Sequence, residues 1–297
     1  MLVRTRSIVV AGVLAVGAAL VVTSPSTAAN TTAPAKAAQH ARTAWAPAGS
    51  ATIHPGVMMY TDGAQCTANF VYTDGVGSTF VGYAAHCAGT GAATDTNGCD
   101  SGSLPLGTPV TFNEGGSLVS DGTQVGTGKL VYSSWITMQK NGETNPDVCA
   151  YNDLALVEVD PAYVADVNPS IPFWGGPVGI NATGTQAGDQ VYTYGNSSLR
   201  AGVSALSPHT GVSVGDDGNG WSHGLYTVSP GIPGDSGSAF LDANGNALGV
   251  LSTIEIAPLP AANNIGDVNK ELNYAKANSG LSGLALVPGT EPFSPVL

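Results

Sequence analysis

From about Ala51 onward the chain is written as short apolar runs, each closed by Gly, Asn, Asp or Pro. Thr67–Thr73, Ser78–Ala84, Thr108–Phe112, Lys129–Tyr132 and Leu154–Val159 come first; Gln190–Tyr194, Gly202–Leu206, Gly224–Val228, Ser238–Leu241 and Ala247–Thr253 follow. Runs this short, set between turn signals, suit an all-β sandwich or barrel. They leave no room for a helical bundle or coiled coil. Gly 40 and Pro 19 together make about a fifth of the 297 residues, which also works against long helices. Pro161, Pro169, Pro172 and Pro177 separate the two sets of runs and read as a crossover between halves. One helix is predicted, from Asp267 to Asn278. Val268, Leu272 and Ala275 fall on one face, Asp267 can cap the start, and Gly280 lies past the end.

The ends carry different signals. Residues 1–29 read as a secretory signal: Arg4 and Arg6, an apolar stretch Ile8 to Val22, then small residues from Ser24 to Ala29. The apolar stretch is shorter than the ~20 residues of a membrane helix. Residues 30–50, rich in Ala, Thr and Pro, read as a disordered leader or short pro-segment. The tail 281–297 gives no clear signal. The expected product is secreted and extracellular, without membrane attachment once the signal is cleaved. The net charge is −12, with 21 acidic against 9 basic residues, opposite to the sign a nucleic-acid binder needs. Four cysteines, Cys66, Cys87, Cys99 and Cys149, suggest two disulfides in an exported chain, with three pairings open. Their scattered spacing does not suit a zinc site, and no metal is expected.

Three segments carry chemistry. His86, in Tyr83-Ala84-Ala85-His86-Cys87, follows a strand-like run and is presented at its end. Asp153 opens the apolar run Leu154-Ala155-Leu156-Val157, where a carboxylate can be half buried yet face a cleft. Ser236 lies in Pro233-Gly234-Asp235-Ser236-Gly237-Ser238. A serine hydroxyl needs a base within about 3 Å, and His suits that task. The His needs an acceptor on its other ring nitrogen. Glycines beside the Ser let backbone N–H groups face a developing oxyanion. Each segment alone is weak; in the order His, Asp, Ser they are strong together.

Ala84-Ala85-His86-Cys87, Asp153-Leu154-Ala155-Leu156 and Gly234-Asp235-Ser236-Gly237 resemble the three signatures of the chymotrypsin/trypsin-like serine proteases, especially the secreted bacterial, streptogrisin-like branch. The resemblance covers roughly residues 53 to 280. It implies an all-β fold of two antiparallel β-barrels, 51–165 with His86 and Asp153 and 166–280 with Ser236 and the short C-terminal helix. The active site would lie in the cleft between them. It implies a serine endopeptidase, without cofactor, acting through an acyl-enzyme. Ser236 would be nucleophile, His86 base then acid, and Asp153 the group that orients His86. Gly234 and Ser236 would supply the oxyanion N–H groups.

The same resemblance pairs Cys66 with Cys87, which leaves Cys99 with Cys149. It places Ser252, Thr253 and Ile254 beside the substrate backbone, with Ser252 donating to Asp153. Pro230, six residues before Ser236, is not an acid, which argues against Arg/Lys specificity. Ile254 suggests a narrowed pocket for small or medium apolar P1 residues. Asp235 should turn inward, with Arg200 as its cationic partner, since no Ile-Val-Gly-Gly start is present to provide a freed amine. Ser238 replaces the second Gly found in most of the family, and no Cys after Cys149 braces the pocket. Protein or peptide substrates, and a protein protease inhibitor, are the implied partners of a monomer. An α/β-hydrolase would require Ser before Asp and His. The alternative of another class is a non-catalytic secreted protease-like binding module; three intact groups argue against it.

Overall fold

The computed structural model describes residues 44–91, 96–254 and 262–295, with Ile254 described by its backbone alone. The expected signal 1–29, and the leader up to residue 43, lie outside the described residues. The strands form two antiparallel units. The first, a barrel-like sheet, contains β1 (Met58–Thr61), β2 (Ala64–Thr67), β3 (Val71–Thr73), β4 (Thr79–Ala84), β5 (Pro109–Glu114), β6 (Thr123–Ser133), β7 (Leu154–Val159) and the late β14 (Ala285–Leu286). Its order is β14-β3-β4-β7-β6-β5-β1-β2. β4 is central, and all six of its residues are buried. This explains why its sequence reads as a continuous apolar run rather than an alternation.

The second unit is a closed barrel in the order β10-β13-β12-β11-β8-β9. Its strands are β8 (Gln190–Tyr194), β9 (Pro208–Asp217), β10 (Ser222–Thr227), β11 (Ala239–Asp242), β12 (Ala247–Ile254) and β13 (Asn263–Asp267). Val191, Leu225, Phe240, Leu248, Leu251 and Ile265 fill its small core. The predicted helix is present as α3 (Val268–Asn278), capped by Asp267, whose side chain accepts the Lys270 N–H. Between the units, residues 168–189 contain no strand, as the prolines suggest. Trp174 anchors this crossover; it is fully buried and donates from Nε1 to the Thr193 carbonyl at 2.8 Å.

Several elements differ from the sequence reading. Thr67–Thr73 is not one strand: β2 ends at Thr67 and β3 starts at Val71. The link between them is tied by backbone bonds from Ala68 to Val57 and from Asn69 to Gly82. Gly202–Leu206 is not a strand either; Ser204–Leu206 is a 3₁₀ turn, and pairing starts at Pro208. β9 is polar and glycine-rich, and its order comes from pairing with β8 on one side and β10 on the other. Two short helices, α1 (Ser134–Asn141) and α2 (Pro146–Tyr151), stand before β7. Asn145 caps α2 and Pro146 occupies its first position, a start signal too brief to stand out in sequence.

The packed chain begins before residue 51. The Ala46 N–H donates to Val167 O, and Asn168 Nδ2 donates to Ala46 O at 2.7 Å. The tail also packs: β14 adds to β3, and further on Phe293 stacks edge-on against Tyr192.

Candidate active site

β4 and β7 are neighbours, with Ala84 opposite Leu154. This register sets the residues just past each strand's inner end side by side. His86 follows β4 in a 3₁₀ turn (Ala85–Ala88), and Asp153 precedes β7. Asp153 Oδ2 lies 2.6 Å from His86 Nδ1, and Oδ1 accepts the His86 backbone N–H at 2.8 Å. The Asp153 carbonyl accepts the Ala85 N–H at 2.7 Å. Asp153 is buried, whereas the His86 side chain is 24% exposed. Burial pulls the imidazole pKa down, but the charge and hydrogen bond of Asp153 outweigh it and hold His86 above the usual histidine value. With Nδ1–H donated to Asp153, Nε2 carries the lone pair.

Ser252 adds a third contact to the carboxylate, Oγ to Oδ2 at 2.6 Å. The β12–β13 register shifts between Leu251 and Thr253, so Ser252 sits on a bulge that turns its hydroxyl toward Asp153. This contact crosses from the second unit to the first.

The disulfides are Cys66–Cys87 and Cys99–Cys149. The first lies against the histidine: both sulfurs and a His86 ring nitrogen fall within 4.8 Å of one another. These sulfurs are bonded to each other, so the cluster offers no thiolate to a metal. Thr67, next to Cys66, donates its N–H to the Ser236 carbonyl at 2.8 Å and brings the serine turn against the same corner.

Within that turn the backbone N–H groups divide sharply. Asp235 donates to Ile232 O, Gly237 to Leu251 O and Ser238 to Asp235 O. The N–H groups of Gly234 and Ser236 have no acceptor among the described residues. The Gly234 carbonyl is held away from them by Thr67 Oγ1 at 2.7 Å and Gln65 Nε2 at 3.0 Å. Gln65 also receives the Ser198 N–H, so one side chain joins the turn to the 196–198 loop. Gln65 carried no signal in the sequence. The Ser236 hydroxyl is partly exposed and makes no hydrogen bond among the described residues, to His86 or otherwise.

Asp235 turns inward and is buried. Arg200 meets it bidentately, Nη2 to Oδ2 at 2.6 Å and Nη1 to Oδ1. Asp235 Oδ2 also accepts the Ile232 N–H at 3.0 Å. His209 joins this group, its Nε2 3.3 Å from Arg200 Nη2 and its Nδ1 3.1 Å from Ser229 Oγ. Burial, then the Arg200 charge, lowers its pKa, so His209 stands neutral between a cation and a hydroxyl.

Beside this group lies a void of about 10 Å³, bordered by Thr193, His209, Thr227, Ser229, Leu251 and Asn263 among others. Pro230 is exposed at the adjoining loop. Thr253 is partly buried on β12, and the Ile254 side chain lies outside the described residues. A roomier cleft, about 180 Å³, lies elsewhere, between His54, Glu114, Tyr194 and Asn196, and takes in none of the residues singled out in the sequence.

A β-sheet unit and a β-barrel joined by a proline-rich crossover, with a His–Asp pair on one and a Gly-Asp-Ser-Gly turn on the other, define the class of architecture. Solved structures similar to this chain include several proteases. Protease A of Thermobifida fusca is 17% identical over 80% of this chain and 99% of its own, with a TM-score of 0.45. The protease of Nocardiopsis is 19% identical over 79% and 98%, TM-score 0.45. The chymotrypsin of Cellulomonas bogoriensis is 18% identical over 79% and 98%, TM-score 0.42. No protein-family model matches the chain, and no curated protein sequence matches it.

Proposed function

We propose that this chain is a secreted serine endopeptidase. The observation that carries the reading is the pairing of a His86 imidazole, held by Asp153 through Nδ1, with a turn that leaves two backbone N–H groups open around Ser236. In this reading Ser236 Oγ attacks the substrate carbonyl while His86 Nε2 takes its proton. The Gly234 and Ser236 N–H groups receive the negative oxygen. His86 then protonates the leaving amine, and water repeats the sequence on the acyl-enzyme. Asp153 keeps the imidazole in one tautomer and stabilises its cation. Arg200 and Asp235 hold the turn open from below. No step calls on a cofactor.

The end of β12, with Ser252 and Thr253, runs beyond its pairing with β11 and offers that side to an extended substrate. Pro230 in place of an acid, and Ile254 at the end of β12, support small or medium apolar P1 residues. A profile dominated by Arg, Lys or Glu in a peptide library would overturn that preference.

The test of the function is covalent. A sulfonyl fluoride should modify the purified protein at Ser236, read by peptide mass spectrometry, and Ser236→Ala should lose both the label and peptidase activity. An unlabelled Ser236 in a folded protein that cleaves neither peptide nor ester would end the proposal.

A further inference from the structure

The catalytic reading uses the side chain of Asp153; its backbone N–H is bonded too, and the partner is unexpected. It donates to Oε1 of Glu271 at 2.8 Å. Glu271 sits one turn into α3 and is 0% exposed. The site is shaped for it: a Cβ on Gly266 would lie 2.3 Å from that oxygen. A buried carboxylate normally faces a cation, and none faces this one among the described residues. The charges it meets are Asp153 and Asp267, both acids, while Tyr72 from β3 and Tyr132 from β6 complete the titratable groups around it. Its second oxygen, Oε2, is buried without a partner among the described residues.

We propose that Glu271 is a positioning residue of the active site, an uncharged carboxylic acid that accepts the Asp153 N–H and fixes the carboxylate that holds His86. The inference rests on the protease reading above. Asp153 is pinned from three directions: β4 and its turn through Ala85 and His86, β12 through Ser252, and α3 through Glu271. The main chain of Asp153 is thus held at both polar groups, its carbonyl by the Ala85 N–H and its own N–H by Glu271 on α3. An ionised Glu271 would add a second negative charge beside the His86–Asp153 pair. A neutral acid supplies the acceptor without that field. Burial and the two neighbouring acids agree, pushing the Glu271 pKa well above the usual carboxylate range.

The test compares Glu271→Gln, which keeps a neutral acceptor, with Glu271→Met, which keeps the volume and removes it. Glu271→Gln should retain kcat and KM within about 3-fold and leave the acid limb of the pH–rate profile in place. Glu271→Met, with native circular dichroism, should lose about 10-fold or more in kcat at little change in KM, as a misplaced base does. The downfield proton resonance of the His86–Asp153 hydrogen bond should survive in Glu271→Gln and broaden or shift in Glu271→Met.

An acid limb displaced to lower pH in Glu271→Gln would mean that a negative charge had been removed, and would overturn the proposal. So would full kcat and an unchanged resonance in Glu271→Met. If Glu271→Met does not fold, the Glu271→Gln profile and resonance still decide the matter. Sulfonyl fluoride labelling of the wild type separates the two readings. An unlabelled wild type refutes the protease function, whereas the resonance in the variants reports on Glu271 in either case.

Discussion

A methyl group on Gly195 would lie 2.6 Å from the Asp235 carboxylate, in a place that carboxylate cannot leave without breaking its bonds to Arg200. Gly195→Ala should therefore destabilise the fold by about 1–3 kcal/mol through overpacking, measured by urea unfolding. It should also lower kcat, since Asp235 lies within the turn proposed to hold the oxyanion. Arg200→Ala leaves a buried acid unpaired and should cost about 3–5 kcal/mol, while Arg200→Lys should rescue little, because an ammonium cannot bond both oxygens in one plane. A few extra residues at the mature N-terminus should leave activity intact; loss there, with full activity in Arg200→Ala, would give the role to the N-terminal amine. In the proposed reaction His86 must be neutral to accept a proton, and its pKa is raised, so kcat/KM should fall as the pH drops through a value above the ordinary ~6.5. The His86–Asp153 and Arg200–Asp235 contacts were legible, the first from the side chains nucleophilic chemistry needs and the second from the family resemblance. Gln65, His209 and Glu271 were not. Their side chains have no local signature, and only tertiary packing makes them unusual.

The strands most readily read from sequence are Leu154–Val159, an apolar run buried on both faces, and Gln190–Tyr194, where buried Val191 and Thr193 alternate with more exposed neighbours. β9 was illegible because its neighbours, not its own side chains, hold it. One consequence of that packing is His223 on β10. It is 0% exposed, with Nδ1 2.7 Å from Asp216 on β9 and Nε2 3.0 Å from Asp267, the cap of α3. Burial lowers its pKa, but the hydrogen bonds and charges of Asp267 and Asp216 more than reverse this. A raised histidine stabilises the fold fully below about 6.5, and that contribution is lost as the pH rises through its folded value. His223→Leu should therefore cost more at pH 5 than at pH 9, by about 3 kcal/mol at the acid end if both carboxylates are left unpaired. Urea titrations across this range would measure it; an equal loss at both ends would refute the cationic pairing.

Over the described molecule, the segment after α3 touches both units. Gly75 donates to Ser282 O, and β14 pairs with β3 on the first. Gly289 donates to Pro177 O and Ser294 to Trp174 O beside the second. Leu284 is 3% exposed, so Leu284→Ala should cost about 2–4 kcal/mol and lower the melting temperature of both units in one transition, as calorimetry would record. The composition of the tail hid this. Its prolines and glycines exclude long elements, and two paired residues suffice to dock it.

That short pairing has a consequence for how the chain is made. β3 leaves the ribosome long before β14, so throughout synthesis the first sheet carries an unshielded border of N–H and C=O groups. Such a border is a template for strands of other chains. Nascent polypeptide halted between α3 and β14 would already hold His86, Asp153 and Ser236, yet would tend to associate through β3. The tail strand thus acts late, replacing the border of β3 with a much shorter one of two residues.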